Sequence, residues 1–471
     1  MNRLARRSLI GTGILVAAWL IVAAGIALLL DVNRHKPAIE AAVSQSLGMD
    51  FTIGGKVSLR LLPRARLILP DVRLSDGKQE ILTADFVRAA PRWIPFLLER
   101  KVVVDRVFLE RQKIRFEQSS QAAPGPESGQ DTAAVPHAMS VVAIRHGDVT
   151  YVDRTSGRSV ELGDLDLKLT DIAWGSGAAR QPLAVLKSAS FRGIMRVRTL
   201  RLGPFEASNL KCTIKDAKGL LELDPTEIAL FGGSAHGRLT LDLTGSSPRV
   251  HIVQAASQID LTQVFPIKIF LGTAQASLDV TGTGSDQRAI MRTMNGQAGI
   301  RSEHISVNSL DIDGLIADYD RTQNFSLIDL ASLIIAGPFA PLVTKGVDFS
   351  RLAIGRMGHD TSEIRRVVSD WTIVDGVAKT KDVAFTTPKH TVAFRGDFDL
   401  ATGRYQDFFV ATVDPQGCAQ VKRRVSGPLA HPTVEGPGSA TLGPFKSAFR
   451  GAKKLFQSEK CDLFYSGSAI H

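Results

Sequence analysis

Cysteine is scarce in this chain, three residues in 471. That excludes a disulfide-dense small scaffold and a cysteine-rich metal array. Aromatic residues are few as well: they make up 6% of the chain, and most are Phe, 22 against four Trp and four Tyr. A nucleic-acid surface built on Tyr, Trp and Arg platforms is therefore not expected. The ten histidines are scattered, and no two stand three to five residues apart as a helical metal motif requires. HExxH, CxxC and GxSxG are absent. Gly282-Thr-Gly284 lacks a third glycine and reads as a turn, not a phosphate loop. Asp164 and Asp166 read as a solvated strand edge. No catalytic residue, cofactor or metal is called for, and the expectation is a protein that is not an enzyme.

Long hydrophobic runs are missing too, with one exception. Residues 8–30 carry no charge over 23 positions, whereas a helix needs about 20 apolar residues to cross a bilayer core. A secretory signal has a shorter apolar stretch of about 7–15 residues, so the run is read as an uncleaved anchor. Arg3, Arg6 and Arg7 precede it, and the positive-inside bias places them in the cytoplasm and the bulk of the chain on the far side. The expectation is a single-pass membrane protein with its body on the far side of the membrane. Up to Glu117 there are 19 Lys and Arg against 11 Asp and Glu. A basic surface beside a bilayer is attracted to anionic headgroups, and topology signals alone account for its first three arginines. In an oxidising periplasm Cys418 and Cys461, both near the C-terminus, tend to pair. Cys212, in a strand-like segment, reads as a small buried hydrophobe.

What is present is material for a β-protein. The chain is 44% apolar and 22% charged, and its length allows two to four domains. After a short helix over 37–47 the hydrophobic period switches to two. Leu165-Asp-Leu167-Lys-Leu169, Leu239-Thr-Leu241-Asp-Leu243 and Leu278-Asp-Val280 alternate strictly, and glycine turns recur between such segments. Short amphipathic strands of this kind predict antiparallel sheet with one dry and one wet face. The dry face is covered either by a second sheet or by an apolar lumen, and the pattern fits both. Residues 118–136 read as a flexible linker. Residues 325–336 read as a buried helix, and residues 445–456 as an amphipathic helix that caps a sheet end.

The order of several blocks resembles the AsmA family of inner-membrane-anchored envelope proteins. The N-terminal blocks are Ile53-Gly-Gly-Lys-Val57-Ser-Leu59, Asp71-Val72-Arg73-Leu74 and Val104-Asp-Arg-Val-Phe-Leu-Glu110. Ile144-Arg-His-Gly147-Asp-Val-Thr-Tyr151 follows, and then Gly337-Pro338, Asp370-Trp371, Gly417-Cys418 and the ending from Cys461 to Ser468. From about Ser188 to Arg321 the reading rests on β-pattern alone. The resemblance implies a mainly β fold: a transmembrane helix, then an elongated, curved antiparallel sheet forming a groove, with few short helices. It divides the chain into a cytoplasmic start (1–7), the span (8–30), a chorein-N-like region (31–117), the linker, a middle β-groove (137–324) and a C-terminal region (325–471). It also implies a role in lipid transport between inner and outer membranes. Phospholipids or other envelope lipids are the implied partners, with an envelope protein at the distal end. Leu239, Leu241, Leu243, Leu278 and Val280 would then face acyl chains. The rival expectation is a scaffold for outer-membrane protein assembly that carries no lipid.

Overall fold

The computed structural model describes residues 32–47, 49–60, 66–77, 79–92, 103–118, 138–153, 157–173, 186–203, 205–264, 270–308, 311–314, 316, 361–429, 432–434 and 461–470. The expected span with Arg3, Arg6 and Arg7, the linker beyond Gln118, and the helices expected at 325–336 and 445–456 lie outside them. Among the described residues no helix is long and apolar enough to cross a membrane. The fold is mainly β, with a few short helices, and it divides into two compact units, residues 1–223 and 224–471.

In the first unit the helix Lys36–Leu47 precedes β1 (Asp50–Ile53) and β2 (Ser58–Arg60), which both pair with β3 (Arg66–Asp76). The sheet continues through β4 (Gln79–Arg92), β5 (Val103–Gln118), β6 (Ala138–Asp153), β7 (Arg158–Ala173), β8 (Ser190–Leu202) and β9 (Phe205–Ala217). An edge strand exposes unpaired amides. Here two amides of β1 donate to the helix: Phe51 to Ser44 Oγ at 2.9 Å and Ile53 to Glu40 Oε1 at 2.8 Å. Ile39 of the helix packs on the small core of Ile53, Val57, Leu69, Val72 and Ala84.

One pairing departs from the antiparallel expectation: β5 and β6 run parallel. Parallel neighbours need a connection of a dozen or more residues. The stretch between Gln118 and Ala138 supplies that length, where a hairpin turn would have enforced antiparallel pairing.

β10 (Leu220–Leu230) carries the chain into the second unit. There β11 (Gly233–Asp242), β12 (Arg249–Asp260), β14 (Thr273–Thr283), β15 (Asn295–Asn308), β16 (Thr361–Val374), β17 (Val377–Thr386), β18 (Thr391–Asp399), β19 (Arg404–Val413) and β20 (Ala419–Pro428) pair in succession, all antiparallel. Two-residue strands, β13 (Phe270–Leu271) and β21 (Thr433–Val434), pair with β15 and β20. One face of this sheet closes over a true core, in which Trp371, Phe385, Phe394, Phe398 and Phe408 are almost fully buried. Rings meet within it, Tyr405 and Phe408 at 5.0 Å between centroids, and Trp371 Nε1 is satisfied by Ser369 Oγ at 2.9 Å. The helix Gln287–Arg292, capped by Asp286, seats Met291 in this core. Gly282 and Gly284, read from the sequence as a turn, permit that approach: a Cβ on either would press on Ala289 or Ile290.

The opposite face of β17–β19 is covered by the last described residues. Cys418 and Cys461 are disulfide-bonded, with Cα atoms 5.2 Å apart. Phe464, Tyr465 and Ala469 pack on Ala384, Ala393, Ala411 and Val413. Tyr465 donates its hydroxyl hydrogen to Asp382, and Ser468 donates to the same carboxylate from its amide at 3.0 Å and its hydroxyl at 2.8 Å. Burial first, and then the bond to Asp382, push the Tyr465 phenol well above its ordinary range.

Candidate functional site

The residues with a stake in binding are found by asking which side chains share a face. In β7 the pairing partners place Val160, Leu162, Leu165, Leu167, Leu169 and Ile172 on one side. In β6 their partners are Tyr151, Val149, Gly147, Ile144, Val142 and Met139. In β8 they are Leu202, Leu200, Val197, Met195 and Gly193. Phe205, Ala207, Leu210, Cys212 and Ile214 continue the face on β9. Toward β3 the same face runs through Val107, Leu109 and Ile114 of β5, Leu82, Ala84, Val87 and Ala89 of β4, and Leu67, Leu69, Val72 and Leu74. Seven strands thus present one apolar surface. The opposite surface is charged and held by cross-strand pairs such as Arg88–Glu110, Arg192–Asp171 and Arg198–Asp164, each 2.6 Å. Such exposed pairs contribute little to stability, about 0–1 kcal/mol each, but they keep that surface in water.

Strict alternation fails at one shared level in each of these strands, and again in β6 and β7, between Met139 and Val142 and between Leu169 and Ile172. The apolar face steps by three residues, not two, from Leu69 to Val72, Ile144 to Gly147, Leu162 to Leu165 and Ala207 to Leu210. Asp71, His146, Asp164 and Asn209, and Arg111 in β5, have left-handed φ near +50°. These are β-bulges, where an extra residue is accommodated and the strand bends. Asp, Asn and His are the non-glycine residues that tolerate this conformation best. All five lie at one level of the sheet and produce a crease across it. On the apolar side the crease is the row Val72, Ala84, Gln112, Gly147, Leu165, Val197 and Leu210, each beside the next. In β3, β4, β5, β7 and β8 the crease residue is the most buried of its strand: Val197 and Val72 are 1% exposed, Leu165 4%. The rows on either side are mostly half-buried.

Polar groups on the far side of the crease lock the bulges. Asp164 Oδ1 meets His146 Nδ1 at 2.8 Å and Asp164 Oδ2 accepts from Arg198 Nε at 2.6 Å. The Asp166 carboxylate accepts from the His146 amide at 3.2 Å. The His146 bond first, and then Arg198, hold the Asp164 carboxyl below the usual carboxylate range. Asp164 and Asp166 therefore sit in mid-sheet, pinning a bend, and not at the solvated edge read from the sequence.

The most extensive described contacts of β5 to β9 are with their neighbours in the sheet. At the β3 end Ile39 of the helix Lys36–Leu47 packs on the apolar face. The second unit differs. Leu239 and Leu241 lie on the same face of β11, opposite Ile252 and Val250, and are half-buried. Leu278 and Val280 continue that face on β14, but Val280, 3% exposed, belongs to the packed core. Leu243 is 2% exposed. A cavity of about 450 Å³ in this unit is lined by polar and basic groups, among them Arg365, Lys389 and His390, which suits an acyl chain poorly. Among the described residues no cluster of His, Cys, Asp or Glu is arranged to hold a metal.

Residues 196–345 match the model of the AsmA family, the family that the sequence resembles. The match begins within β8, takes in β9 to β15, and covers most of the stretch from about Ser188 to Arg321 that reads as β-pattern alone. No curated protein matches the chain.

Proposed function

We propose that this chain, matched over residues 196–345 to the AsmA family, is an envelope protein that holds lipid acyl chains against the apolar face of its first unit. In this reading it is not an enzyme. It sits in the bacterial inner membrane through residues 8–30 and helps phospholipids pass between the inner and outer membranes. The observation that carries the reading is the seven-strand apolar face, continuous from β3 to β9, whose rows beside the crease are mostly half-buried. An apolar surface of that extent is unusual unless it has an occupant. Each buried methylene contributes about 0.8 kcal/mol, and a floor of uniform character lets a chain slide without losing that energy at each step. The match to the family model supports an envelope role. The packed core of the second unit favours a structural part for that region, as a support or a partner surface.

The test uses the full chain, extracted from its membrane in mild detergent, with bound phospholipid counted per chain by mass spectrometry. Wild type is expected to carry lipid. Leu167→Asp combined with Met195→Asp, adjacent half-buried positions, is expected to lose most of it while circular dichroism stays that of a β-protein. A folded wild type without lipid, or a folded double variant with as much as wild type, contradicts the proposal.

A further inference from the structure

Gln112 breaks the apolar face. It is 0% exposed, and neither its amide nitrogen nor its amide oxygen has a hydrogen-bond partner among the described residues. It stands at the crease, beside Ala84 on one strand and Gly147 on the other. Gly147 makes its room: a Cβ there would overlap the Gln112 amide nitrogen. A Met or Leu would fill the same space with no polar atom to satisfy. Leaving a buried amide unpaired is unfavourable. The second unit repeats the pairing of residue types: Gln254 on an apolar face stands directly opposite Gly237. There Thr226 Oγ1 takes one amide hydrogen at 2.8 Å, and the amide oxygen is again buried and unpaired.

We infer that Gln112, set over Gly147 in the crease, is a polar contact for the ester linkage of an acyl lipid bound on the apolar face. This rests on the lipid-binding reading above. Rotation about the Gln112 side-chain bonds lifts the amide off Gly147, and its N–H then donates to an ester carbonyl. The acyl methylenes beyond that carbonyl then lie on a flanking apolar row such as that of Leu109 or Ile114. The face then takes up lipid in a preferred register, and it prefers ester-linked lipid to a chain of the same length without carbonyls.

The test offers the full chain in detergent an equimolar mixture of dioleoyl phosphatidylglycerol and its dialkyl ether analogue, with the bound species read by native mass spectrometry. Wild type is expected to favour the ester lipid about fivefold, the effect of one net hydrogen bond. Gln112→Met is expected to bind both equally and to melt at a higher temperature than wild type when stripped of lipid. Gln112→Leu, which likewise removes the amide, is expected to lose the preference as well and serves if Gln112→Met does not accumulate. Equal binding of the two lipids by wild type overturns the inference and leaves the lipid-binding reading standing. A preference that persists in both variants also overturns it. Binding of neither lipid by wild type removes the lipid-binding reading itself.

Discussion

Cys212 marks the apolar face with a chemical handle. It sits opposite Met195, 4% exposed, and burial pushes its thiol up to about 11 from an ordinary 9.0. The thiolate is the reactive form, so native protein at pH 7.5 is expected to resist maleimide labelling that goes to completion in urea. Rapid native labelling would place Cys212 in water and remove it from this face. Linkage fixes the sign of the pH effect. Between about pH 9 and 11 the unfolded thiol ionises while the folded one does not, so the folded state weakens as pH rises through that window. Asp164 acts in the other direction. Its lowered value means that its contribution is present at neutral pH and is lost as pH falls below about 4 through its folded pKa. Because its φ is +52°, Asp164→Val is expected to destabilise the protein by about 1–3 kcal/mol and Asp164→Gly by less. Urea melts read this order, and equal losses would mean that the side-chain bonds matter and the backbone does not.

Among elements, the strands were legible in the sequence and the crease was not. Leu165, Leu167 and Leu169 alternate in the sequence and alternate in β7. The helix expected over 37–47 is there, one residue longer at its start. The bulges were also written in the sequence, as three-residue steps: Leu69-Pro-Asp-Val72, Ile144-Arg-His-Gly147, Leu162-Gly-Asp-Leu165 and Ala207-Ser-Asn-Leu210. Read singly, each step looks like the end of one short strand. Only pairing with its neighbours shows one long strand with an inserted residue, and pairing is non-local. The same limit hid Gln112, an ordinary polar residue until the register puts it among leucines and valines. Val280 was misleading in the other way: strict alternation identified its face, but the helix that covers this face, Gln287–Arg292, comes after it. Deleting Asp164 removes the inserted residue of β7: Leu162 and Leu165 then share a face by plain alternation, but β7 no longer bends together with β6 and β8. A lower urea midpoint is the expected result, and a deletion variant as stable as wild type would show that the aligned bulges do not support the sheet.

At the scale of the whole molecule the two units have different characters, one with a broad apolar sheet face, one with a closed aromatic core. The second unit is further tied by the Cys418–Cys461 bond, which closes a stretch with a sequence separation of 43. Replacing both by Ser is expected to cost about 2–4 kcal/mol in that unit's denaturant melt. Lipid carriage by the first unit should be unchanged, since its face shares no residue with the tail. The central claim, that acyl chains lie on the face defined by the creased register, is tested most directly by placing a photoreactive benzophenone residue at single positions along β7 of the full chain in cells. The account predicts phospholipid adducts at positions 160 and 162, a three-residue step across the bulge, and adducts again at 167 and 169, with positions 161, 166 and 168 silent. Adducts of equal strength at positions 166 and 168, or none at any position, would contradict it.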